Sequence, residues 1–275
     1  MQSNSVNIAG AITLWELSGM SNYSILEEGF DALNLQAYTP HMPTTQEALK
    51  IVLQDKYQGT RCLIRPLESH KGWGIVLEKA KGTALSHTND ISIVVNNNKK
   101  ADLSFYGVDY SIEQEIQQAV EQTMLMVPQN KLVYSLKRIL YSLCGTPIRE
   151  SGGVYYLPAA ALDRWREVAV IVESAGGNTV HLIQTAIDDN SVRCIMAHVR
   201  AEIDAFKGGV IEELNSGMKA RAVSNRSEDI KFMLAKAEWY EREFGVLLSE
   251  SKAALDELAM SLMMNGSWSD MGAQS

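Results

Sequence analysis

The chain has 275 residues, 46% of them hydrophobic and 21% charged, and this globular composition excludes a disordered tail protein and a fibrous repeat. A chain of this length can bury a stable core without disulfide bonds. Its three cysteines, Cys62, Cys144 and Cys194, are odd in number and far apart in the sequence, as expected in a reducing cytosol. The formal net charge of -8 excludes a surface that binds phosphate everywhere, although a local basic patch stays open.

Two features of the sequence indicate a soluble cytoplasmic protein. The first 20 residues contain no Lys or Arg and no uninterrupted apolar core before a cleavage site, so we expect no secretory signal. The longest mainly apolar stretches, 159–172 and 255–264, are broken well short of the ~20 residues that a bilayer span needs. We therefore expect no membrane segment.

Residues 1–126 are predicted to form an α+β region that begins with a strand and two helices. β-branched residues and turn formers over 2–17 indicate a short strand, and Ser24 is a candidate N-cap for the first helix. The apolar face of that helix is Ile25, Leu26, Phe30 and Leu33. Pro40 and Pro43 separate it from a second helix, which opens at Thr44 or Thr45. The buried stripe of the second helix is Leu49, Val52 and Leu53.

The rest of this region is predicted to be an antiparallel meander followed by a helix. Short runs of β-branched and aromatic residues alternate with turn signals after Gly59. Asn96–Lys100 is a predicted hairpin loop, because Asn tolerates left-handed backbone angles and paired lysines prefer water. The helix that follows ends before Pro128, and its apolar side is Ile112, Ile116, Ala119, Val120 and Thr123.

Residues 127–187 are predicted to form a small α+β module. A helix over 130–144 is stopped by Gly145 and Pro147. A short strand before Pro158, a helix over 159–173 and a second strand over 178–187 complete the module.

A heptad pattern over 188–264 predicts two long helices paired as an antiparallel hairpin. The first seam steps by three or four residues through Val192, Met196, Val199, Ile203, Phe206, Val210 and Leu214. Ser227 is the predicted cap of the second helix, whose seam is Ile230, Leu234, Ala237, Phe244, Leu248, Leu255, Leu258 and Leu262. Residues 265–275 lack periodicity and are predicted to be a flexible tail.

Four residues interrupt the two seams. Gly208 and Gly209 lie within the first helix, where each is about 1 kcal/mol less favourable than Ala. Glu241 and Ser251 occupy positions in the second seam that the heptad reserves for apolar residues. Glycines of this kind accompany bends, and the alternative is a notch that admits a partner helix. The candidate partner interface is Phe206, Gly208, Gly209, Val210, Phe244 and Leu248.

No pattern in the sequence meets the requirements of a catalytic, metal or cofactor site. His181 and His198 come closest to a catalytic pair, but neither lies in a metal-binding helix spacing. Lys stands beside Gly in HKGWG and AKGT, yet neither segment links a strand to a helix as a phosphate cradle would. We therefore expect no catalytic residue, no metal ion and no cofactor.

The most basic and aromatic part of the chain is residues 131–166. Single-strand binders combine a positive groove with exposed rings on which bases stack. The cationic residues of this region are Lys131, Lys137, Arg138, Arg149, Arg164 and Arg166. They alternate with Tyr134, Tyr141, Tyr155, Tyr156 and Trp165. Tyrosines on amphipathic helices are often half-buried, so their burial decides between this interpretation and an ordinary core.

The ten residues Arg149-Glu-Ser-Gly-Gly-Val-Tyr-Tyr-Leu-Pro158 form the most specific motif in the chain. With the helix ending in Gly-Thr-Pro before it and the helical hairpin after it, the motif resembles an uncharacterised protein family of bacteriophages, plasmids and prokaryotic genomes. The resemblance covers residues 25–264 in the order of elements. It implies an origin in a mobile element and a two-part architecture, with the host cytoplasm as the compartment, and it implies no known activity.

Two interpretations of the motif are open. In the structural one, Gly152 and Gly153 form a tight hairpin that docks the strand on the helices. In the functional one, Arg149 and the glycine amides face a phosphate or carboxylate, and Tyr155 or Tyr156 forms a stacking wall.

Together these patterns predict an α+β fold with N-terminal helices, a small antiparallel sheet, and a helix-rich C-terminal half that ends in a helical hairpin. The favoured function is non-catalytic interaction or assembly in a phage or mobile element, by self-association or by binding a protein partner through the hairpin. The alternative is single-stranded nucleic-acid binding by residues 131–166. An enzyme acting through Arg149–Tyr156 would lack a recognisable nucleophile or base.

Overall fold

The computed structural model describes residues 8–60, 62–68, 71–81, 84–149, 153–186 and 188–272, with side chains described in these ranges except at 8–9, 77–81, 84–90, 220 and 265–272. The fold is α+β, with small antiparallel sheets and helices concentrated in the C-terminal half, as the sequence predicts.

Strands and helices alternate along the first two thirds of the chain. The strands are β1 (Ile8–Glu16), β2 (Met20–Asn22), β3 (Cys62–Pro66), β4 (Gly72–Lys81), β5 (Ala84–Asn97), β6 (Asp102–Tyr106), β7 (Met126–Pro128), β8 (Thr146–Pro147), β9 (Tyr155–Pro158) and β10 (Thr179–Ala186). The helices are α1 (Tyr23–Ala32), α2 (Thr45–Lys56), α3 (Tyr110–Met124), α4 (Gln129–Ser142), α5 (Leu162–Ser174), α6 (Asp189–Asn215), α7 (Ala220–Phe244) and α8 (Ser249–Gly272).

The chain divides into two compact units, and neither is a continuous stretch. The first unit contains residues 1–15, 140–166 and 180–275, and the second contains 16–139 and 167–179. The sequence predicts consecutive regions instead, because local patterns do not show which distant segments pair. In the first unit, for example, β1 pairs with β9, more than 140 residues later.

The second unit contains the predicted meander. Strands β3, β4, β5 and β6 pair in sequential antiparallel order, and the predicted loop Asn96–Lys100 joins β5 to β6. Helices α2 and α3 supply half of the core beneath this sheet, because their apolar residues recur at helical spacing. The buried members of the core are Ala48, Leu49, Leu53, Ile75, Ile93, Val95, Ile116 and Val120.

Side chains cap the N-termini of the first two helices by accepting hydrogen bonds from backbone N–H groups that have no partner within the helix. Thr44 caps α2, and Glu47 returns a bond to the Thr44 backbone, which is a reciprocal capping box. Asn22, rather than the predicted Ser24, caps α1 and accepts a bond from the Ile25 amide. Ile25, predicted to lie on the buried face, is 37% exposed, whereas Leu26 and Phe30 of the same predicted face are fully buried.

In the first unit, a four-stranded sheet has the order β10-β1-β9-β8. β9 runs antiparallel to both neighbours, with Ile12 and Thr146 on either side of Tyr156. Gly10 lies close to Leu157 and the Tyr156 ring, where a Cβ would overlap both, so β1 and β9 require glycine at this position.

The predicted helical hairpin is a bundle of three helices. α6 and α7 are antiparallel: Glu213 near the end of α6 binds Arg226 near the start of α7 at 2.9 Å, and Glu202 binds Lys236 farther along. The chain then leaves the helix at Gly245, in the left-handed region with φ 66°, and α8 starts at Ser249. A heptad pattern continues smoothly across such a break, so it does not reveal the turn.

Two further boundaries differ from the predictions. α7 begins at Ala220, so Ser227 lies inside the helix and its hydroxyl donates to the Val223 carbonyl instead of capping. α8 continues to Gly272, so helix occupies most of the predicted tail 265–275. Among the described residues, no helix combines the length and the apolar character needed to cross a membrane.

The same substitution at two glycines should change stability in opposite directions. Gly245→Ala should lower the free energy of unfolding by about 1 kcal/mol, because an L-residue is strained at this left-handed φ. Gly209→Ala should raise it by up to about 1 kcal/mol, because Gly209 is helical and no atom lies within 4 Å of an added Cβ. Urea unfolding followed by circular dichroism measures both, and equal signs would contradict the assigned conformations.

Candidate functional site

A buried lysine fastens the bundle to the segment that precedes β8. The side chain of Lys236, on α7, is 2% exposed. Its Nζ donates to both carboxylate oxygens of Glu202 on α6, at 2.8 and 2.7 Å, and to the Gly145 carbonyl at 2.7 Å. All three ammonium protons therefore have acceptors, which is the condition for burying a charge.

Tyr240, one turn along α7 from Lys236, holds the same segment. Its hydroxyl donates to the Cys144 carbonyl at 2.9 Å and accepts from the Thr146 hydroxyl at 3.1 Å. Cys144 has φ 57°, unusual for a residue other than glycine. Lys236 and Tyr240 thus donate hydrogen bonds to the Gly145 and Cys144 carbonyls, which belong to this left-handed turn and not to a helix or a strand ladder.

Burial changes the proton affinities of this cluster. It lowers the pKa of Lys236, and the neighbouring Glu202 carboxylate partly opposes that effect. It raises the pKa of the Tyr240 hydroxyl well above its ordinary value and also raises the pKa of the Cys144 thiol. A thiol with a raised pKa is a poor nucleophile, and a lysine this buried does not reach a substrate, so the cluster is structural.

The predicted α7 seam shares Ile230 and Ala237 with the observed buried face but differs at its other positions, and for this reason it misses the cluster. The buried stripe of α7 is Ile230, Met233, Lys236, Ala237 and Tyr240. The predicted seam ran through Leu234 and Glu241, one residue out of step with Met233 and Tyr240. The signal that could have found it is the 3-4-3 spacing of Ile230, Met233, Ala237 and Tyr240, with a lysine on the same face.

Glu241, which looked like a defect in the seam, builds the corner between α7 and α8. Its carboxylate accepts the Leu248 backbone amide and pairs with Lys252 at 2.6 Å. The Lys252 hydrogen bond is the main reason that the pKa of Glu241 is lowered. A carboxylate at the start of α8 satisfies orphan donors and is favoured by the helix dipole.

In the described part of the Arg149–Pro158 motif, which is Arg149 and residues 153–158, the aromatic rings contact the protein itself. Gly153 has φ 66°, and a Cβ there would sit 3.4 Å from the Trp15 ring. Trp15 stacks on Tyr155 with ring centroids 5.5 Å apart and an interplanar angle of 13°. Arg149 is exposed, and Gly152 lies outside the described residues. These contacts support the structural interpretation of the motif.

Tyr156 cannot be the predicted stacking wall. Its side chain is fully buried and belongs to the core of the bundle, beside the rings of Tyr240 and Phe244. Burial raises the pKa of its hydroxyl, as expected for a phenol in an apolar core. Alternation along β9 places Tyr155 and Tyr156 on opposite faces, and only Tyr155 stays half-exposed.

The basic candidates do not converge within one unit. Lys137 and Arg138 belong to the second unit, whereas Arg164 and Arg166 belong to the first. Arg138 lies over the Tyr38 and Tyr134 rings, at 5.1 and 5.8 Å from their centroids. Arg166 pairs with Asp163 at 2.6 Å, and Arg164 is half-buried.

The aromatic candidates in this part of the chain are mostly covered. Trp165 is fully buried, and its Nε1 donates to the Thr13 hydroxyl at 2.8 Å. Tyr141 is half-buried against Phe232, with ring centroids 4.1 Å apart. Tyr134 is the exposed member of the predicted set, at 65%. A row of stacking platforms is therefore not present among these side chains.

The predicted interface residues fall into three groups. Val210 and Leu248 are buried in the bundle core, so a partner cannot reach them and this part of the prediction is wrong. Phe206 and Phe244 are half-buried against the same core. Gly208 and Gly209 are exposed within an unbroken helix, and an added Cβ would have no neighbour within 4 Å.

Exposed methionines on α8 mark a surface that the sequence analysis missed. Met260, Met263 and Met264 are 64%, 70% and 68% exposed, and Ile211 on α6 is 39% exposed. Methionine side chains at spacings of three and four residues lie on one side of a helix and adapt to irregular partners. The spacing of these methionines is visible in the sequence. The predicted seam, however, follows the neighbouring leucines, which are the residues that α8 buries.

A groove lies between α6 and α8, the two helices that carry Ile211 and these methionines, and Ile211 is one of its lining residues. Arg200 and Asp204 line one end of it with Leu247 and Glu250, and Lys207 lines the other end with Glu257. The two parts of the groove have volumes of about 440 and 420 Å³ and join at Ala254. Because residue numbers increase together on both walls, α6 and α8 run in the same direction.

We call this surface the α6/α8 face. Its residues are Arg200, Lys207, Gly208 and Ile211 from α6, and Glu250, Ala254, Glu257, Met260 and Met264 from α8. In the described part of the chain, no group of three or more His, Cys, Asp and Glu side chains could hold a metal ion.

Comparisons with known proteins identify a family whose function is unknown. A model described as "Family of unknown function (DUF6744)" matches residues 9–267. No curated protein and no solved structure matches the chain.

Proposed function

The chain belongs to the DUF6744 family, and we propose that it is a non-catalytic interaction protein that binds another protein chain through the α6/α8 face. The observation that carries this proposal is the exposure of Met260 and Met264, which belong to this face, on one helix of a bundle whose core is otherwise well buried. Apolar side chains grouped in this way on a water-soluble surface mark interaction sites. The resemblance of the Arg149–Pro158 motif supports a role in a phage or related mobile element.

The rigidity of the bundle supports the same role. Lys236, Tyr240 and Glu241 tie the helices to each other and to the turn before β8 through charged and buried hydrogen bonds. Such bonds fix one arrangement of the helices, because any slip would leave a buried charge without its partner. A rigid face loses little conformational freedom when a partner binds.

Single-stranded nucleic-acid binding by residues 131–166 has less support. Tyr156 and Trp165 are buried, and one face of Tyr155 is covered by Trp15. Tyr134, with Arg138 beside it, is the stacking candidate that stays exposed. Base stacking along a strand needs successive rings, which this set does not offer.

Native mass spectrometry of the protein purified from its own host tests the interaction function. We expect the wild-type chain in a complex with at least one further protein chain, in a fixed ratio. Met260→Glu should shift most of the protein to the free chain, because a charge on the apolar face would be buried without a partner.

Met42→Glu is the matched control, because Met42 is also an exposed methionine, at 45%, but lies outside the bundle. This variant should keep the complex. A wild-type chain that is always recovered alone would overturn the proposal. Recovery with nucleic acid and no protein would support the alternative instead.

A further inference from the structure

We infer that the chain bound at the α6/α8 face is a second copy of this chain, an inference that rests on the interaction function proposed above. The two copies would be related by a two-fold axis parallel to α6 and α8, so that α6 of each copy lies against α8 of the other. Charge, helix direction and side-chain size on the face each favour this arrangement.

The α6 wall of the groove carries two basic residues and one acidic residue, Asp204, whereas the charged residues on the α8 wall are both acidic. Arg200 and Lys207 are seven residues apart on α6, and Glu250 and Glu257 are seven residues apart on α8. Both spacings correspond to about 10 Å along a helix. Within the described residues none of the four forms a salt bridge in its own chain. Arg200 donates a hydrogen bond to the Leu247 carbonyl of its own chain at 3.3 Å, and this bond leaves its charge without a counter-charge. All four charges can therefore pair with charges of a partner.

A second copy supplies the complementary charges at the right levels. A two-fold rotation about an axis parallel to the helices leaves the direction of each helix unchanged. It places α6 of each copy opposite α8 of the other copy. Arg200 then faces Glu250 of the partner subunit, and Lys207 faces Glu257 of the partner subunit. A two-fold axis perpendicular to the helices would instead place α8 against α8 and bring Glu250 and Glu257 of one copy opposite Glu257 and Glu250 of the other, which is unfavourable.

Gly208 on α6 leaves room for a methionine of the second copy. Gly208 and Ile211 lie at the level of Met260, because Lys207 and Ile211 share one part of the groove with Glu257 and Ser261. A Cβ on Gly208 would meet no atom of its own chain within 4 Å, so the fold does not require glycine there. A flexible methionine from the partner fits such a position.

Charge exchange between two variants tests the arrangement. In Lys207→Glu, both symmetric contacts of the dimer pair two carboxylates, and in Glu257→Lys both pair two ammonium groups. We expect each variant alone to dimerise at least about tenfold more weakly than wild type. In an equimolar mixture both contacts are again complementary, so the affinity should return to within about threefold of wild type. Sedimentation equilibrium of the purified chains measures all three.

Lys231→Glu and Glu238→Lys are the matched controls, because both residues are exposed on α7 and away from the groove. They should dimerise as wild type does, alone and mixed, and circular dichroism checks that every variant is folded. A dimeric wild type without rescue in the mixture would overturn this arrangement. A monomeric purified wild type whose host complex still depends on Met260 would overturn the second copy and leave the interaction function standing.

Discussion

Lys236→Ala should lower the free energy of unfolding by about 3–5 kcal/mol, one of the largest effects of a single substitution in this chain. The change removes three hydrogen bonds and leaves the Glu202 carboxylate, 14% exposed, without its counter-charge, and the Gly145 carbonyl without a donor. The cost of an unpaired buried charge exceeds the value of the pair itself. Urea unfolding at one fixed protein concentration, followed by circular dichroism, measures the change.

Two further variants separate charge burial from a general effect of substitution on α7. Lys231→Ala changes an exposed lysine of the same helix and should alter stability by no more than about 0.5 kcal/mol. Lys236→Met combined with Glu202→Gln removes both charges and should recover much of the loss. If Lys236→Ala were as mild as Lys231→Ala, Lys236 would not be buried in an ion pair.

Tyr156→Ala should also destabilise the protein by about 3–5 kcal/mol, because it removes a fully buried ring from the core of the first unit. The ring packs beside Tyr240 and Phe244 and lies against Gly10 of the neighbouring strand. Those neighbours are held by strand pairing and by α7, so they close the cavity only in part.

Tyr155→Ala is the adjacent control. Tyr155 is half-buried and stacks on Trp15, so its loss should cost clearly less than the loss of Tyr156. Thermal or urea unfolding of the two variants side by side gives the comparison. Equal effects, or a larger effect at Tyr155, would show that the face of β9 assigned to the core is the wrong one.

Local patterns were sufficient for most elements of the second unit. Thr44 and Glu47 define the start of α2 by their own side chains, and Asn96–Lys100 defines a hairpin by its backbone preferences. These signals act over a few residues and do not depend on distant contacts. The α1 cap was the exception, because Asn22 and Ser24 both suit the position and only Asn22 lies where β2 ends.

The candidate site could be predicted only in part. The sequence predicts a partner interface on the C-terminal helices that includes Gly208 and Gly209, and both glycines are exposed, as a docking surface requires. It chose Val210 and Leu248 as interface residues because a heptad pattern shows which residues are apolar but not which of them a third helix covers. The exposed methionines follow from the break at Gly245, which turns α8 back along α6.

The sequence by itself determined the fold class, the antiparallel meander and the presence of long amphipathic helices, because periodicity and turn residues act locally. Only the tertiary structure decided which strand pairs with β1, which side of α7 is buried, and that a lysine occupies that side. The physical reason is that burying Lys236 is favourable only once Glu202 and the Gly145 carbonyl stand within hydrogen-bond distance. Those partners lie 34 and 91 residues away in the chain, beyond the reach of any local pattern.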